Sequence, residues 1–318
     1  MDSFLNLLIT AISFIFVIFV IVSIHELGHL LVAKAFGVYC FEYSIGFGPV
    51  LFKYQGKETK YTIRLLPLGG FVSMAGDDEV KDQPVVPLNR QLPSLNRFKR
   101  ACVMIAGIVM NVVLAGFIFT GLFALNGTNI APKPIVAAVS NGSVAQSAGL
   151  QAGDEITQLT FEDGTVVTLK DITDLTLNLQ LHPGEVTLQI LRGGSTIQTT
   201  LTPVFNETDS AYQIGIQSIP YEHKSLNFIE SIQYGFNYLI TITQQMFMVI
   251  GMLLRGKGFE SLSGPVGIIK ETGKAASYGL TSLFSLLGLL SLNVGLFNLL
   301  PLPIMDGGRI LLLGVEAI

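Results

Sequence analysis

From Phe4 to Ile24 the only polar side chains are Asn6, Thr10, Ser13 and Ser23, and this run leads directly into HELGH at residues 25–29. About 20 consecutive apolar residues suffice to cross the hydrocarbon core of a bilayer, so Phe4–Ala33 is expected to be a membrane helix with the motif near its C-terminal end. His25 and His29 are four residues apart, which on a helix puts both imidazoles on one face, a turn apart, where they can share a zinc ion. Glu26 stands close enough to polarise a water at that metal, the pattern of a hydrolase. A soluble H-E-x-x-H match can be accidental. Two histidines and a glutamate at membrane depth are costly unless they are used.

The composition fits a membrane setting with one soluble insert. Of 318 residues, 50% are hydrophobic and 13% charged, with a mean hydropathy of +0.57, against about 25% charged in an average soluble domain. A net charge of -4 with no Lys/Arg block offers no phosphate-binding stripe, so nucleic acid is not an expected partner. Cys40 and Cys102 have neither C-x-x-C spacing nor a histidine at ligand distance, and they read as packing residues with no disulfide framework. Asp2 stands where a signal peptide would be basic, and the apolar run is too long for an h-region, so the first helix is expected to be retained.

Beyond Val38 the runs YSIGFG, VLFKY, TKYTIRLL and FVSMAG alternate and are punctuated by Gly46, Gly48, Pro49, Gly56 and the Pro67–Gly70 turn. They read as a small antiparallel β-sheet beside the membrane. Asp77–Pro93, with Asp77, Asp78, Glu79 and three prolines, reads as a loop. A second membrane helix is expected from about Ala101 to Leu125, preceded by Arg97, Lys99 and Arg100. Ten Lys/Arg lie between Lys34 and Arg100 and four between Asn126 and Ser225. The positive-inside rule then makes the first loop cytoplasmic and the second extracytoplasmic, with the N-terminus outside and HELGH nearer the cytoplasmic face.

Residues 134–204 have the composition of a compact soluble domain, with β-runs PIVAAVS, VTLQIL and TIQTTLTP and a helix expected over Lys170–Leu181. The stretch SVAQSAGLQAGDEITQL resembles the core of a bacterial PDZ domain, Gly149-Leu150 and Gly153-Asp154 matching that family's G-L-x-x-G-D turn. Such domains bind extended peptide ends by adding a strand to a sheet edge. A spacer that limits by bulk which proteins approach the membrane is the other reading, and both stay open. Leu226–Leu254 is apolar but carries Glu230, Gln233, Gln244 and Gln245, so it is expected to lie against the membrane as an amphipathic helix.

The second informative stretch is LLSLNVGLFNLLPLPIMDGGRILLL, residues 289–313. An apolar helix breaks at Pro301 and Pro303 and presents Asp306 followed by two glycines. Non-helical backbone at membrane depth must be buried in protein or line a watered cavity, and a carboxylate there needs a partner or a metal. A catalytic zinc usually has three protein ligands, and Asp306 is the carboxylate with an evident need for a cation.

HELGH, the GFG turn at Gly46–Gly48, LPLGGFVSMAG, the PDZ-like stretch, SGPVGI and NLLPLPIMDGG together resemble the site-2 protease family of intramembrane zinc metalloproteases, closest to bacterial single-PDZ members acting in regulated intramembrane proteolysis. The resemblance runs through almost the whole chain. It implies one zinc ion on His25, His29 and Asp306, with Glu26 as general base. It also implies substrate contacts at Asn298 and the Pro301–Pro303 break, with Gly46 and Gly48 in a β-region whose edge meets unwound substrate. Substrates would be single-spanning membrane proteins such as trimmed anti-sigma factors, or remnant signal peptides. Met305 stands where the family more often has leucine. Family members usually continue into another membrane helix, so a chain ending at Ile318 is expected to be a piece of a longer one.

The expected fold is thus a multi-pass α-helical membrane protein with a membrane-associated β-region and an inserted α+β PDZ domain. Its parts would be a first helix at 1–36, the β-region and loop at 37–100, a second helix at 101–126, and the PDZ domain at 132–204. An amphipathic connector at 205–279 and a broken third helix at 280–318 would complete it. The competing class is a membrane zinc transporter or sensor, for which Glu26 would have no purpose as a base. A membrane-anchored PDZ adaptor with an inactive metal site is a third reading.

Overall fold

The structure, a computed structural model, describes residues 2–77, 85–207, 211–254, 264–302 and 305–315. Pro303, the acidic residues Asp78 and Glu79, and Arg255–Glu260 lie outside the described residues. The chain forms two units, residues 1–126 with 226–318, and residues 127–225. The first unit begins with helix α1 (Asp2–Ala35), strands β1 (Cys40–Gln55) and β2 (Lys60–Met74), and helix α2 (Arg97–Asn126). The second unit runs β3 (Thr128–Ile130), β4 (Val136–Val139), α3 (Val144–Ser147), β5 (Glu155–Phe161), β6 (Val166–Thr168) and α4 (Ile172–Leu181). It continues with β7 (Val186–Arg192), β8 (Ser195–Leu201), β9 (Val204–Asn206), β10 (Ala211–Gln213), β11 (Ile216–Ser218) and β12 (Glu222–Lys224). The first unit resumes with α5 (Phe228–Leu254), α6 (Pro265–Ser277), α7 (Leu280–Asn298) and α8 (Asp306–Val315).

Among the described residues, α1, α2 and α7 are long and apolar enough to cross a membrane. α1 ends where Gly37 takes a positive φ of 82° and the Val38 N–H reaches back to the Ala33 carbonyl, a left-handed cap that satisfies the last orphan acceptors. α1 and α2 pack antiparallel at very short range. A Cβ on Gly28 would overlap the Ala106 carbonyl oxygen, so the crossing admits no side chain there. α7 meets α2 through another small-residue face. Gly288 lies against Phe119, the Ser291 hydroxyl donates to the Asn111 carbonyl at 2.9 Å, and Gly295 lies against the Ile108 carbonyl. Small residues allow such close packing where lipid supplies no hydrophobic drive.

The region expected as several short strands is two long ones. Glycines 46, 48 and 69 take positive φ and bend the ribbon without ending it. The first part of β1 is held between the two halves of β2: Ile45 pairs with Ile63 on one side and Gly70 on the other, and Glu42 pairs with Lys60 and Ser73, while Val50–Gln55 pairs with Lys60–Arg64 alone. Among the described residues no further strand pairs with Gly69–Met74 on its other edge. Phe47, Leu51, Phe52, Tyr54, Leu65 and Leu66 are exposed towards the far end of the ribbon. At the near end Glu42 accepts hydrogen bonds from Thr62 and Arg64, both at 2.7 Å, and from Lys60 at 3.3 Å. Burial pushes its carboxyl up, but these donors outweigh it and hold the group below its ordinary range.

α5 is a single helix and, among the described residues, is not one of those long and apolar enough to cross a membrane. Asn227 and Glu230 exchange hydrogen bonds as a reciprocal cap at its start. It then runs antiparallel along α2, with Tyr234 against Phe123, Gly235 against Thr120 and Tyr238 against Phe119.

In the second unit four antiparallel strands form a sheet in the order β6-β5-β7-β8. Its buried face of Ile156, Leu159, Leu188 and Ile190 packs with Leu175 and Leu179 of α4. Asp171 caps α4 by accepting from the N–H groups of Thr173 and Asp174. The unit extends past the expected boundary at 204, since β11 pairs with β4 and β12 with β3. The G-L-x-x-G-D turn closes on its aspartate. The fully buried Asp154 accepts from Arg192 Nε at 2.6 Å, Arg192 Nη2 at 2.8 Å and the Gln151 N–H at 2.8 Å. The guanidinium holds this carboxyl below its ordinary value, so its contribution to stability is present above the unfolded pKa of about 3.9 and lost as pH falls through the folded one. Asp154→Ala is therefore expected to destabilise the second unit by about 1–3 kcal/mol at neutral pH. Hydrogen exchange of the β5 and β7 amides should report that loss, and the gap to wild type should narrow below about pH 4.

Candidate metal centre

His25 and His29 emerge on one face of α1, as their spacing requires, and α8 brings Asp306 to the same point. Nε2 of His25 and of His29 lie 3.1 and 3.4 Å from Asp306 Oδ2, and 3.2 Å from each other. Four ligands around a tetrahedral zinc at about 2.0–2.1 Å are separated by about 3.3 Å, so these three atoms already have the spacing of zinc ligands. The donor chemistry agrees. Asp306 Oδ2 is buried and, despite its two imidazole neighbours, meets no donor in hydrogen-bond geometry. His29 Nδ1 lies 2.8 Å from the Val103 carbonyl, an acceptor that keeps the ring proton on Nδ1 and leaves a lone pair on Nε2. Among the described residues His25, His29 and Asp306 form a group able to hold a metal ion.

α2 forms the wall behind these ligands. Val103, Gly107 and Asn111 recur every fourth residue along one of its faces, and that face lies against the two imidazoles. A Cβ on Gly107 would overlap His29 Nε2 and come within 2.8 Å of His25 Nε2. None of these α2 residues was marked by the motifs. A glycine and an asparagine inside an apolar helix were the available signals, but a backbone carbonyl leaves none.

Glu26 faces a cavity of about 330 Å³ together with both histidines, Asp306 and Asn298. Gly69, Gly70, Phe71 and Val72 of the unpaired β2 edge line the same cavity. Gly70 is needed there, since a Cβ would press on the Ser44 carbonyl, Val22 and the Glu26 Cγ at 2.8–3.0 Å. Of the other residues singled out in the sequence, Gly46 and Gly48 shape β1 away from the cavity lining and Pro301 is exposed. The break between α7 and α8 satisfies its backbone locally, with Leu300 N–H bonded to Phe297 O and Met305 N–H to Leu302 O. A Cβ on Gly307 would overlap the carbonyls of Leu299 and Leu300, so α8 can fold back against the end of α7 only with glycine there.

A family model described as peptidase family M50 matches residues 13–318. The chain belongs to peptidase family M50. This is the site-2 protease family to which the two motifs pointed, and the chain is a zinc metalloprotease of the membrane. A Clostridium acetobutylicum protein named as a zinc metalloprotease is 35% identical, over 98% of this chain and 86% of that protein. Zinc metalloprotease RasP of Geobacillus kaustophilus is 31% identical, over 96% of this chain and 89% of that protein. Regulator of sigma-W protease RasP of Bacillus subtilis is 30% identical, over 97% and 90%. Among solved structures, a PDZ domain of a Listeria monocytogenes protein is similar to 28% of this chain and 90% of that chain, at 18% identity and a TM-score of 0.22. The family assignment sets aside the transporter, sensor and adaptor readings.

The close packing of Gly107 on the ligands has a measurable consequence. Gly107→Ala is expected to weaken zinc binding about ten- to hundredfold, as about 1–3 kcal/mol of overpacking strain falls on the two rings. Chelator competition measures this. Gly121→Ala on the same helix, where a Cβ meets nothing within 4 Å, should bind as wild type does.

Proposed function

We propose that His25, His29 and Asp306 hold the zinc of this M50 protease, that Glu26 is its general base, and that it hydrolyses peptide bonds in or near the membrane segment of single-spanning proteins. The observation that carries this reading is the convergence of three ligand atoms at zinc spacing beside Glu26 in one cavity. When bound, zinc supplies Lewis-acid activation of water for attack on a carbonyl. Glu26 takes the proton from the attacking water and returns it to the leaving amine. The β2 edge at Gly69–Val72 pairs with the substrate main chain once its helix has unwound, replacing hydrogen bonds the substrate gives up. Asn298, which lines the cavity, contacts that main chain, with Pro301 and Pro303 following it in the chain as further substrate contacts. Gly46 and Gly48 act at one remove by bending β1 so that β2 can present its edge.

The arrangement we propose is multi-pass, with the 127–225 unit inserted between α2 and α5 on the extracytoplasmic side and the exposed apolar end of the β1-β2 ribbon seated at the membrane. The charge asymmetry of the loops supports this orientation. The name of the Bacillus subtilis relative supports trimmed anti-sigma factors as substrates. The short helix α3, the four-stranded sheet and the Asp154 turn support a PDZ fold for the inserted unit. Of its two roles, one observation favours bulk exclusion over peptide capture. The Gln180 amide donates to the Tyr212 carbonyl at 2.8 Å and accepts from the Tyr212 N–H at 2.9 Å, filling the strand edge that faces α4.

A cleavage assay on a reconstituted single-spanning substrate, with products identified by mass, tests the catalytic assignment. Glu26→Gln is expected to retain zinc and lose cleavage by at least about a hundredfold, the usual size of a general-base contribution. Persistent cleavage would remove Glu26 from the mechanism.

A further inference from the structure

His29 has an evident acceptor for its second ring nitrogen, and His25 must have one too. For His25 Nε2 to offer a lone pair towards Asp306 and His29, the proton of the neutral ring has to sit on Nδ1. That nitrogen faces the side-chain amide of Asn111, with Nδ2 at 3.3 Å. In this orientation a donor is set against Nδ1, and the Asn111 Oδ1 is left buried with no hydrogen-bond partner. The proton would then move to Nε2, but the adjacent Asp306 Oδ2 meets no donor in hydrogen-bond geometry. Rotating the amide by 180°, which exchanges two atoms of nearly equal size, sets Oδ1 instead of Nδ2 against His25 Nδ1. Oδ1 then accepts from His25 Nδ1–H, and Nε2 is free to bind a metal.

Asn111 is also held in place for this. It is fully buried, its carbonyl accepts from Ser291, and Gly295 lies where a Cβ would come within 3.3 Å of the Asn111 Cβ. We propose that Asn111 is a positioning residue for the metal centre: its Oδ1 accepts the His25 Nδ1–H bond and fixes the tautomer that presents Nε2 to zinc, with α7 bracing it from behind. The two histidines would then be oriented from one helix face, His29 by the Val103 carbonyl and His25 by the Asn111 amide one turn past Gly107. The inference rests on the reading of His25 as a zinc ligand.

The test uses the full chain in nanodiscs and two readouts other than cleavage. By chelator competition, Asn111→Leu, which removes the acceptor but keeps the branched shape, should lose about 10–100-fold in zinc affinity, the usual effect of deleting such a partner. Asn111→Asp, which retains an acceptor oxygen, should stay within a few-fold of wild type. In zinc-loaded wild type, nitrogen NMR should find His25 bound through Nε2 with its proton on Nδ1. Equal affinities for wild type and Asn111→Leu would overturn the proposal, as would coordination of His25 through Nδ1, which needs no variant. Wild type that binds no zinc would overturn the His25, His29 and Asp306 assignment itself.

Discussion

A carboxylate set against two imidazole nitrogens between apolar helices is the arrangement on which the rest of the first unit depends. Left unpaired, Asp306 would carry a charge into a medium that cannot solvate it, and the two Nε2 lone pairs beside it would add repulsion. A divalent cation reverses the sign of every one of these interactions. The surrounding chain can be understood as what is required to bring the three atoms within 3.1–3.4 Å of one another. α1 must approach α2 closely enough that Gly28 and Gly107 have no side chains. α7 must end and reverse so that α8 begins with its aspartate at the site, which is why Gly307 sits under two carbonyls.

The same economy of side chains runs through the β-region. The glycines at 46, 48 and 69 have positive φ, which lets the first part of one long strand be flanked by two halves of another and, among the described residues, leaves the second half with an unpaired edge. Gly70 then brings that edge against Ser44, Val22 and Glu26. A side chain at 70 would push the edge away from Glu26. The distance between strand edge and the Glu26 side chain is therefore set by one residue.

What could be read in advance was the chemistry that needs particular side chains. HELGH pointed to His25, Glu26 and His29 because zinc and proton transfer demand imidazole and carboxylate at helical spacing, and Asp306 stood out as a charge after a broken apolar helix; the structure brings both histidines and Asp306 to one point in a cavity that Glu26 lines. The apolar length of α1, α2 and α7 was equally legible. What could not be read was carried by backbone or by pairing. The Val103 carbonyl has no residue signature, and Gly107 looks like any glycine in a membrane helix. The alternation of β1 and β2 was visible, but the glycines were taken for strand ends when they are bends. β11 and β12 are three-residue strands in polar sequence, so their return to β4 and β3 left no periodicity to find.

A helical substrate reaches such a site with its carbonyls engaged in their own hydrogen bonds. An extended strand exposes those carbonyls and finds at Gly69–Val72 an edge of the right kind. Unwinding is then imposed by the chemistry of the site. Segments whose helices are weakened by glycine, proline or polar residues should enter more readily, because less hydrogen bonding has to be given up before the edge can replace it.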